Sequence, residues 1–389
     1  MNAGRLVFAQ LLDFLPKHEF QRCVRRYRGD FHCRRLTCYE QFLSLAFAQL
    51  TGRESLREIQ IGLEAMQPKL YHAGLRGSAA RSTLADANEK RHWRIYADLA
   101  QVLIARARRL YADEGFGVEL KAAAYAFDST TIDLCLSLFP WAYFRRAKGA
   151  IKLHTLMDLR ASIPCFVLVS HGKYSDVSSL DELVIEPGAF YVFDRAYTDF
   201  ARLYRFSTSA AFFVTRAKRD LDFRCRASCA VDKAAGLRCD QSIRLQGPLT
   251  SRRYPVLLRR IGYVDPDTDK RLVFLTNNFE LPALTIAQLY HSRWRIELFF
   301  KWIKQHLRIK AFYGTSPNAV KTQVWVAISI YVLVAIVKKE LRSERSLAEI
   351  WQILGLTLFE KTPISRLLSQ SGPSCEGADL PKQASLFDF

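Results

Sequence analysis

The chain has 389 residues, with 57 Lys or Arg against 38 Asp or Glu, which gives a formal charge of +19. Its hydrophobic content of 49% excludes a chain that is disordered throughout. The length suits about two or three domains. A charge this positive is typical of a protein that binds a polyanion, such as a nucleic acid.

The cysteine count and the N-terminus indicate a reducing environment. Nine cysteines are an odd number, and no basic start followed by an apolar run resembles a secretion signal. We therefore expect free thiols, including Cys225, Cys229 and Cys239, whose spacing fits no standard zinc site, and a cytoplasmic location. The longest apolar run, Val324 to Val337, is shorter than the about 20 residues of a spanning helix, which favours a buried core helix and no membrane contact.

Residues 1–119 are predicted to be helical, and we interpret them as an N-terminal helical DNA-binding domain. Six arginines crowd the stretch from Arg22 to Arg35 against a single acidic residue, Asp30. Such a cluster is either an ordinary solvated surface or a phosphate-contacting one, and the net charge favours the second. Arg25 and Arg26 are therefore candidate DNA ligands.

From Ala122 the pattern changes to short apolar runs that predict strands. The first three suit an antiparallel meander: Ala122 to Phe127, Leu153 to Leu159 and Ile163 to Val169. Phe190 to Phe193 and Ala211 to Thr215 predict two more strands, with helices at Ser179 to Ile185 and Thr198 to Phe206. This mixed order indicates an α+β fold, of which residues 120–216 form the first part of the core.

After Ala217 the chain becomes polar and basic, and Pro255 to Val264 with Arg271 to Thr276 predict a hairpin in a β-rich insertion, 217–280. Residues 281–370 are predicted to complete the core with a long helix, Thr285 to Leu307, followed by further C-terminal helices. The tail, 371–389, is rich in Ser, Gly and Pro and is predicted to be disordered.

Two aspartates follow predicted strands, Asp128 after the first and Asp194 after the fourth. Strand ends that lie beside each other can bring two such carboxylates together, and carboxylate oxygens are ligands that Mg²⁺ prefers. An aspartate after a strand is also a common turn residue, so neither position alone indicates a metal site.

A second group of polar residues shares one face of the predicted long helix: Tyr290, Arg293, Glu297 and Lys304. An ordinary surface ion pair would explain Arg293 and Glu297 but not the heavy apolar stripe beside them. Cutting a phosphodiester needs an activated hydroxyl and a stabilised leaving oxygen, which two metal ions held by carboxylates can provide. Arg and Lys supply the cations that hold phosphate.

These residues resemble a known family. The stretch from Tyr290 to Lys304 matches the Tyr-x2-Arg-x3-Glu-x6-Lys signature of DDE transposases of the IS-four insertion-sequence family, and Asp194-Arg-Ala-Tyr197 resembles its second-aspartate motif, with Ala196 a mild departure from Gly. The resemblance implies an RNase H-like catalytic core with a β-rich insertion before the third acid. It implies Asp128, Asp194 and Glu297 as catalytic residues that bind two Mg²⁺ ions, for which Mn²⁺ can substitute.

The resemblance also implies cut-and-paste transposition through a DNA hairpin, by a homodimer that binds transposon-end and target DNA. Tyr290, Arg293 and Lys304 would contact terminal phosphates, and Trp294 would stack on an unpaired base unless it only packs. Lys152, in the predicted second strand, is a further candidate phosphate contact.

The C-terminal residues Gln383, Leu386 and Phe387 resemble the short peptide that docks bacterial proteins on the sliding clamp, although so short a motif also matches by chance. Two other functions remain open at this point. One is a related nuclease without strand transfer, and the other is a non-catalytic, element-derived DNA-binding regulator.

Overall fold

The N-terminal part of the chain is helical, as predicted, in the computed structural model, which describes residues 4–145, 148–266, 268–306 and 312–369. Thr37 and Glu40 form a capping box at the start of one helix, and Ser55 caps the next by accepting a hydrogen bond from the Glu58 amide. The helices are α1 (Val7–Leu12), α2 (Lys17–Arg26), α3 (Cys38–Thr51), α4 (Leu56–Ala65), α5 (Gln67–Leu70), α6 (Arg81–Lys90) and α7 (Arg94–Leu110).

A large mixed sheet follows, whose first strands coincide with the predicted apolar runs. The elements are β1 (Ala124–Leu134), β2 (Tyr143–Arg145), β3 (Lys148–Asp158), β4 (Ile163–His171), β5 (Phe190–Phe193), α8 (Phe200–Thr208), β6 (Phe212–Arg216), β7 (Phe223–Cys229), β8 (Leu237–Leu245), α9 (Pro248–Arg253), β9 (Leu258–Val264) and β10 (Arg271–Thr276). The helix predicted at Ser179 to Ile185 is a 3₁₀ helix, Val177–Glu182, and another 3₁₀ turn, Arg195–Tyr197, follows β5.

The strand order shows how the sheet is assembled. β1 pairs antiparallel with β3 and β3 with β4, which confirms the predicted meander. On its other side β1 pairs in parallel with β5, and β5 in parallel with β6. The sheet then continues through β10, β9, β8 and β7, all antiparallel. The described strands of residues 217–280 therefore extend this same sheet.

The prediction of one long helix from Thr285 to Leu307 is wrong. The chain forms two helices, α10 (Ala283–His291) and α11 (Trp294–His306), because the amides of Arg293 and Ile296 at the junction bond carbonyls three residues back instead of four. The helices that follow are α12 (Pro317–Glu340), α13 (Leu347–Thr357) and α14 (Ile364–Ser369).

The core lies on both faces of the sheet. One face packs against the N-terminal helices and α12, and the other against a smaller aromatic cluster. Helix α12 is long and apolar enough to cross a membrane, but 94% of its most apolar stretch is buried inside the protein, as predicted for a core helix. Successive residues of β1 alternate between the faces: Ala126 belongs to the helical side and Phe127 to the aromatic cluster. Asp128 therefore faces the helical side, where α11 contacts β1.

Candidate active site

The register of two parallel strands brings Asp128 and Asp194 side by side. Phe127 pairs with Phe193 at the end of the β1–β5 ladder, and each aspartate is the next residue. Neighbouring strands lie about 4.8 Å apart, so the two carboxylates leave the sheet as neighbours. The prediction that the first strand ends before Asp128 is wrong, because β1 continues to Leu134 through its pairing with β3.

Arg293 connects the third acid to the first. Its Nη1 donates to Asp128 Oδ2 at 2.9 Å, and its Nη2 donates to Glu297 Oε1 at 2.5 Å. Tyr290 donates its hydroxyl to Asp194 Oδ1 at 3.3 Å, and its ring is held by packing on Phe274, with ring centroids 4.8 Å apart. The helix junction thus places a guanidinium and a phenol between the three predicted catalytic acids.

The charges of the other two acids act on the carboxyl group of Asp128. Burial raises the pKa of the Asp128 carboxyl to about 6, and the charges of Asp194 and Glu297 contribute in the same direction. The Ser129 amide and the Arg293 guanidinium oppose this rise. A raised pKa produced by burial and neighbouring carboxylates is typical of functional sites.

The donor set suits a hard divalent cation such as Mg²⁺, because Asp128, Asp194 and Glu297 all offer carboxylate oxygens. Within the described ranges, however, no three His, Cys, Asp or Glu side chains form a group that could hold a metal ion. Asp128 and Glu297 share the Arg293 guanidinium instead. Asp128 and Asp194 are neighbours that offer oxygens to such an ion, whereas Glu297 would have to release Arg293 to join them.

Two other predicted site residues lie on α11. Trp294 is 46% exposed and lines a cleft of about 460 Å³ together with Phe116, Tyr290 and Glu297. Lys304 is exposed and follows Glu297 by seven residues, or roughly 10 Å along the helix axis. The lining of the cleft thus brings Trp294 together with Glu297, but it includes neither Lys304 nor the two aspartates.

Lys152 is not brought to the acids. Its Nζ donates to Asp176 Oδ2 at 3.0 Å and to the Tyr174 carbonyl at 3.1 Å. Its partner in the β1–β3 register is Thr131, an odd-numbered position that faces away from Asp128. Asp176 is a polar residue of this region that sequence reasoning missed, because it lies in a loop with no motif around it.

The N-terminal arginines separate into two groups. Arg25 is exposed on α2, and Arg26 donates to Asp98 at 2.5 Å. A basic groove of about 820 Å³ lies next to them, and its lining includes Arg28, Arg34, Arg35 and Lys90. The sequence identified the arginine-rich stretch, but only the fold shows which of its members share a concave surface.

Two remaining predictions concern the insertion and the tail. Cys225, Cys229 and Cys239 are free thiols, as expected. The predicted disordered tail, with the candidate clamp-binding residues Gln383, Leu386 and Phe387, lies outside the described residues.

Comparison with protein families matches both halves of the chain. Residues 119–333, more than half of the sequence, match the model described as "Transposase DDE domain". Residues 3–76 match a model described only as a domain of unknown function, DUF4372. The first match includes Asp128, Asp194 and Glu297.

Related proteins support the family match. A Sinorhizobium fredii protein whose name describes it as a transposase, y4zB, is 31% identical over 309 residues, covering 78% of this chain and 83% of the relative. A Geobacillus stearothermophilus protein, named as a transposase for insertion sequence element IS5377, is 32% identical over 211 residues, covering 53% of this chain and 54% of the relative. A solved piggyBac transposase synaptic complex with hairpin DNA aligns with a TM-score of 0.46 and 11% identity, covering 94% of this chain and 82% of that one. The family match and the extent of the first relative confirm the resemblance found in the sequence: the chain belongs to the DDE transposases of insertion sequences, in the IS-four group.

Proposed function

We propose that this protein catalyses cut-and-paste transposition of an insertion sequence. It cleaves phosphodiester bonds at the terminal inverted repeats in a metal-dependent reaction and transfers the freed 3′-hydroxyl ends to target DNA. The observation that carries the proposal is the position of Asp128 and Asp194 at the ends of one parallel ladder, with Glu297 linked to Asp128 through Arg293. Three acids distant in sequence are thereby linked within one strongly basic protein, and Glu297 and Arg293 also line a cleft there.

In this proposal Asp128, Asp194 and Glu297 are the catalytic residues and the metal ligands. When bound, two Mg²⁺ ions, or Mn²⁺ in their place, activate the attacking hydroxyl and stabilise the leaving oxygen. Burial of Asp128 favours this role, because the raised pKa of its carboxyl reflects a site that gains from a positive charge.

The residues around the acids hold the DNA. Arg293 offers a planar fork of donors that matches phosphate, and Tyr290 can donate its hydroxyl beside it. Lys304 extends this phosphate contact along α11, and the half-exposed ring of Trp294 is available to stack on an unpaired base. Arg25 and Arg26, with the basic N-terminal helices around them, are proposed to bind DNA outside the catalytic site.

The strand arrangement supports an RNase H-like core. In the order β4-β3-β1-β5-β6, the first two neighbouring pairs are antiparallel and the next two are parallel. Residues 120–216 would form the first part of this core, 217–280 the β-rich insertion and 281–370 the second part. The N-terminal domain is proposed to end near residue 119.

The mechanism is proposed to pass through a DNA hairpin, in which a freed 3′-hydroxyl attacks the opposite strand. A homodimer on DNA is proposed because two element ends must be held together. On a denaturing gel, a hairpin appears as a strand of double length at the cleaved end, which distinguishes this route from two independent nicks.

The decisive experiment combines labelled element ends with a target plasmid and divalent metal. A transposase gives products in which the label is joined to the plasmid. The alternative of a related nuclease predicts cleavage without joining, and the alternative of a non-catalytic regulator predicts binding alone. Because all three acids are present, a transposase or a related nuclease is favoured over a non-catalytic regulator.

The tail is proposed to bind the bacterial sliding clamp through Gln383, Leu386 and Phe387, in the cytoplasm. An apolar pocket would hold Leu386 and Phe387, and Gln383 would bond at its edge. The double variant Leu386→Ala, Phe387→Ala should lose the clamp in a pull-down while retaining DNA binding. An unchanged pull-down would remove the clamp from the proposal and leave transposition untouched.

A further inference from the structure

Arg293 acts as an internal cation within the acidic site. Its terminal nitrogens donate to two different carboxylates, Nη1 to Asp128 at 2.9 Å and Nη2 to Glu297 at 2.5 Å. The Arg293 and Asp128 side chains are only 15% and 19% exposed, so water screens the bond between them little, whereas the Glu297 side chain is 57% exposed and its bond is screened more. The guanidinium therefore neutralises the same oxygens that a divalent cation needs.

The guanidinium is nevertheless incompletely satisfied in this position. Its Nε is buried and has no hydrogen-bond acceptor among the residues that the structure describes. A buried donor without an acceptor is unfavourable, whereas a phosphate offers the planar guanidinium two parallel acceptors. Exchange of the carboxylates for a phosphate would therefore improve the hydrogen bonding of Arg293.

The backbone at Arg293 is suited to such a movement. Arg293 lies between α10 and α11, where the amides of Arg293 and Ile296 bond three residues back. Tight turns of this kind inside a helical segment often mark a hinge. A shift at the junction would move the Arg293 side chain while the buried apolar residues of both helices stay packed.

We propose that Arg293 holds Asp128 and Glu297 in a metal-free arrangement and that a phosphodiester of bound DNA draws it away, so that DNA binding tightens metal binding. This inference rests on the proposed function, because it takes the three acids as metal ligands. Linkage requires the reciprocal effect, in which the metal tightens DNA binding by the same factor. The arrangement keeps the free protein from acquiring its metal before DNA is in place.

The test measures Mn²⁺ binding to the full chain without DNA, from the loss of the electron paramagnetic resonance signal of the free ion. Arg293→Ala is expected to bind Mn²⁺ roughly 5–150-fold more tightly than wild type, the usual range of coupling between sites. The matched control is Arg216→Ala. The Arg216 charge opposes the rise in the pKa of the Tyr290 hydroxyl, but Arg216 is not bonded to the acids in the described structure. It should change Mn²⁺ affinity much less, and Arg293→Gln, which removes the charge but keeps a polar side chain, should behave like Arg293→Ala.

A second measurement repeats the Mn²⁺ titration with a random-sequence duplex added until the protein is saturated, which fluorescence anisotropy verifies. The Mn²⁺ that the DNA binds by itself is measured separately and subtracted. The duplex should tighten Mn²⁺ binding to wild type and leave Arg293→Ala unchanged. Equal affinities of Arg293→Ala and Arg216→Ala, or a wild type that does not respond to DNA, would overturn the inference. If Asp128→Asn leaves Mn²⁺ binding unchanged in the Arg293→Ala background, the metal site of the proposed function is wrong.

Discussion

Ser129 donates its hydroxyl to Asp176 Oδ1 at 2.8 Å and thereby ties the strand that carries Asp128 to the loop before the Val177–Glu182 turn. Lys152 bonds the other oxygen of Asp176 at 3.0 Å. Ser129 and Asp128 face opposite sides of the sheet, so Asp176 does not belong to the acidic group. Asp176 supports the backbone of β1 from the face opposite to the acidic group.

From this hydrogen bond we predict that Ser129→Ala impairs cleavage, although the variant leaves the three acidic residues unchanged. Loss of a partner that orients a metal ligand usually lowers metal affinity or activity by roughly 10–100-fold, and we expect the lower part of that range because Ser129 acts through the backbone. DNA binding should be unchanged. The matched control is Ser170→Ala, which removes a hydroxyl bonded to His154. Ser170 lies on β4, which is separated from β1 by β3. Equal cleavage rates for Ser129→Ala and wild type would contradict the prediction.

Asp194→Ala is predicted to abolish cleavage and leave binding of element ends intact, because it removes a proposed metal ligand and adds no bulk. The loss of activity should exceed the roughly 10–100-fold effect of an outer partner. Asp199→Ala is the control within the same segment: Asp199 caps α8 by accepting a hydrogen bond from the Arg202 amide. It should lower the free energy of unfolding by about 1 kcal/mol and preserve cleavage. Cleavage by Asp194→Ala would show that the site is elsewhere.

The sequence predicts the acids, the first strands and the signature residues because each depends on a local pattern. The end of β1 is mispredicted because residues 128–134 are mostly polar, and their β-structure depends on pairing with β3, which apolar patterning does not register. The edge strand β7 is missed for the same reason, since most of its residues are exposed.

The helix break and the support by Asp176 have no local signal at all. The junction consists of Ser292 and Arg293 and contains no Gly or Pro that would signal a helix break. The apolar periodicity also continues across it, so the sequence predicts one helix. The bond between Asp176 and Ser129 joins residues 47 positions apart. Contacts of this kind appear only when the chain is folded.

Because His154 is buried, we predict that the free energy of unfolding decreases in acid. Burial lowers the pKa of its imidazole to about 4, although the Asp176 charge acts in the opposite direction. The unfolded chain takes up a proton near its ordinary pKa of about 6.5, before the folded protein does. The stabilisation is therefore complete above about 6.5 and declines as the pH falls towards 4.

Urea unfolding of wild type and His154→Gln from pH 7 to pH 4.5 measures this contribution. The difference in the free energy of unfolding between the two proteins should change by of order 2 kcal/mol in favour of the variant as the pH falls. Glutamine can still bond Ser170, which lies 2.9 Å from the imidazole Nε2, but does not titrate. A difference that stays constant across this range would show that His154 is not held neutral.

The basic groove predicts further N-terminal arginines that bind DNA. Arg34 and Arg35 are exposed and line the groove, whereas Arg22 and Arg57 are exposed but lie outside it. Each phosphate contact contributes about 0.9 to the slope of the logarithm of DNA affinity against the logarithm of salt concentration. Arg34→Ala, Arg35→Ala should therefore weaken binding to any duplex and reduce the slope by about 2.

The control removes the same charge from exposed arginines of the N-terminal helices outside the groove, as Arg22→Ala, Arg57→Ala. Long-range attraction depends on net charge, which both double variants lower equally, so a general effect would reduce both slopes alike. A contact in the groove instead gives a larger reduction for Arg34 and Arg35. Anisotropy titrations of one labelled duplex at several salt concentrations separate the two results, and equal slopes would assign DNA binding to the whole basic surface rather than to the groove.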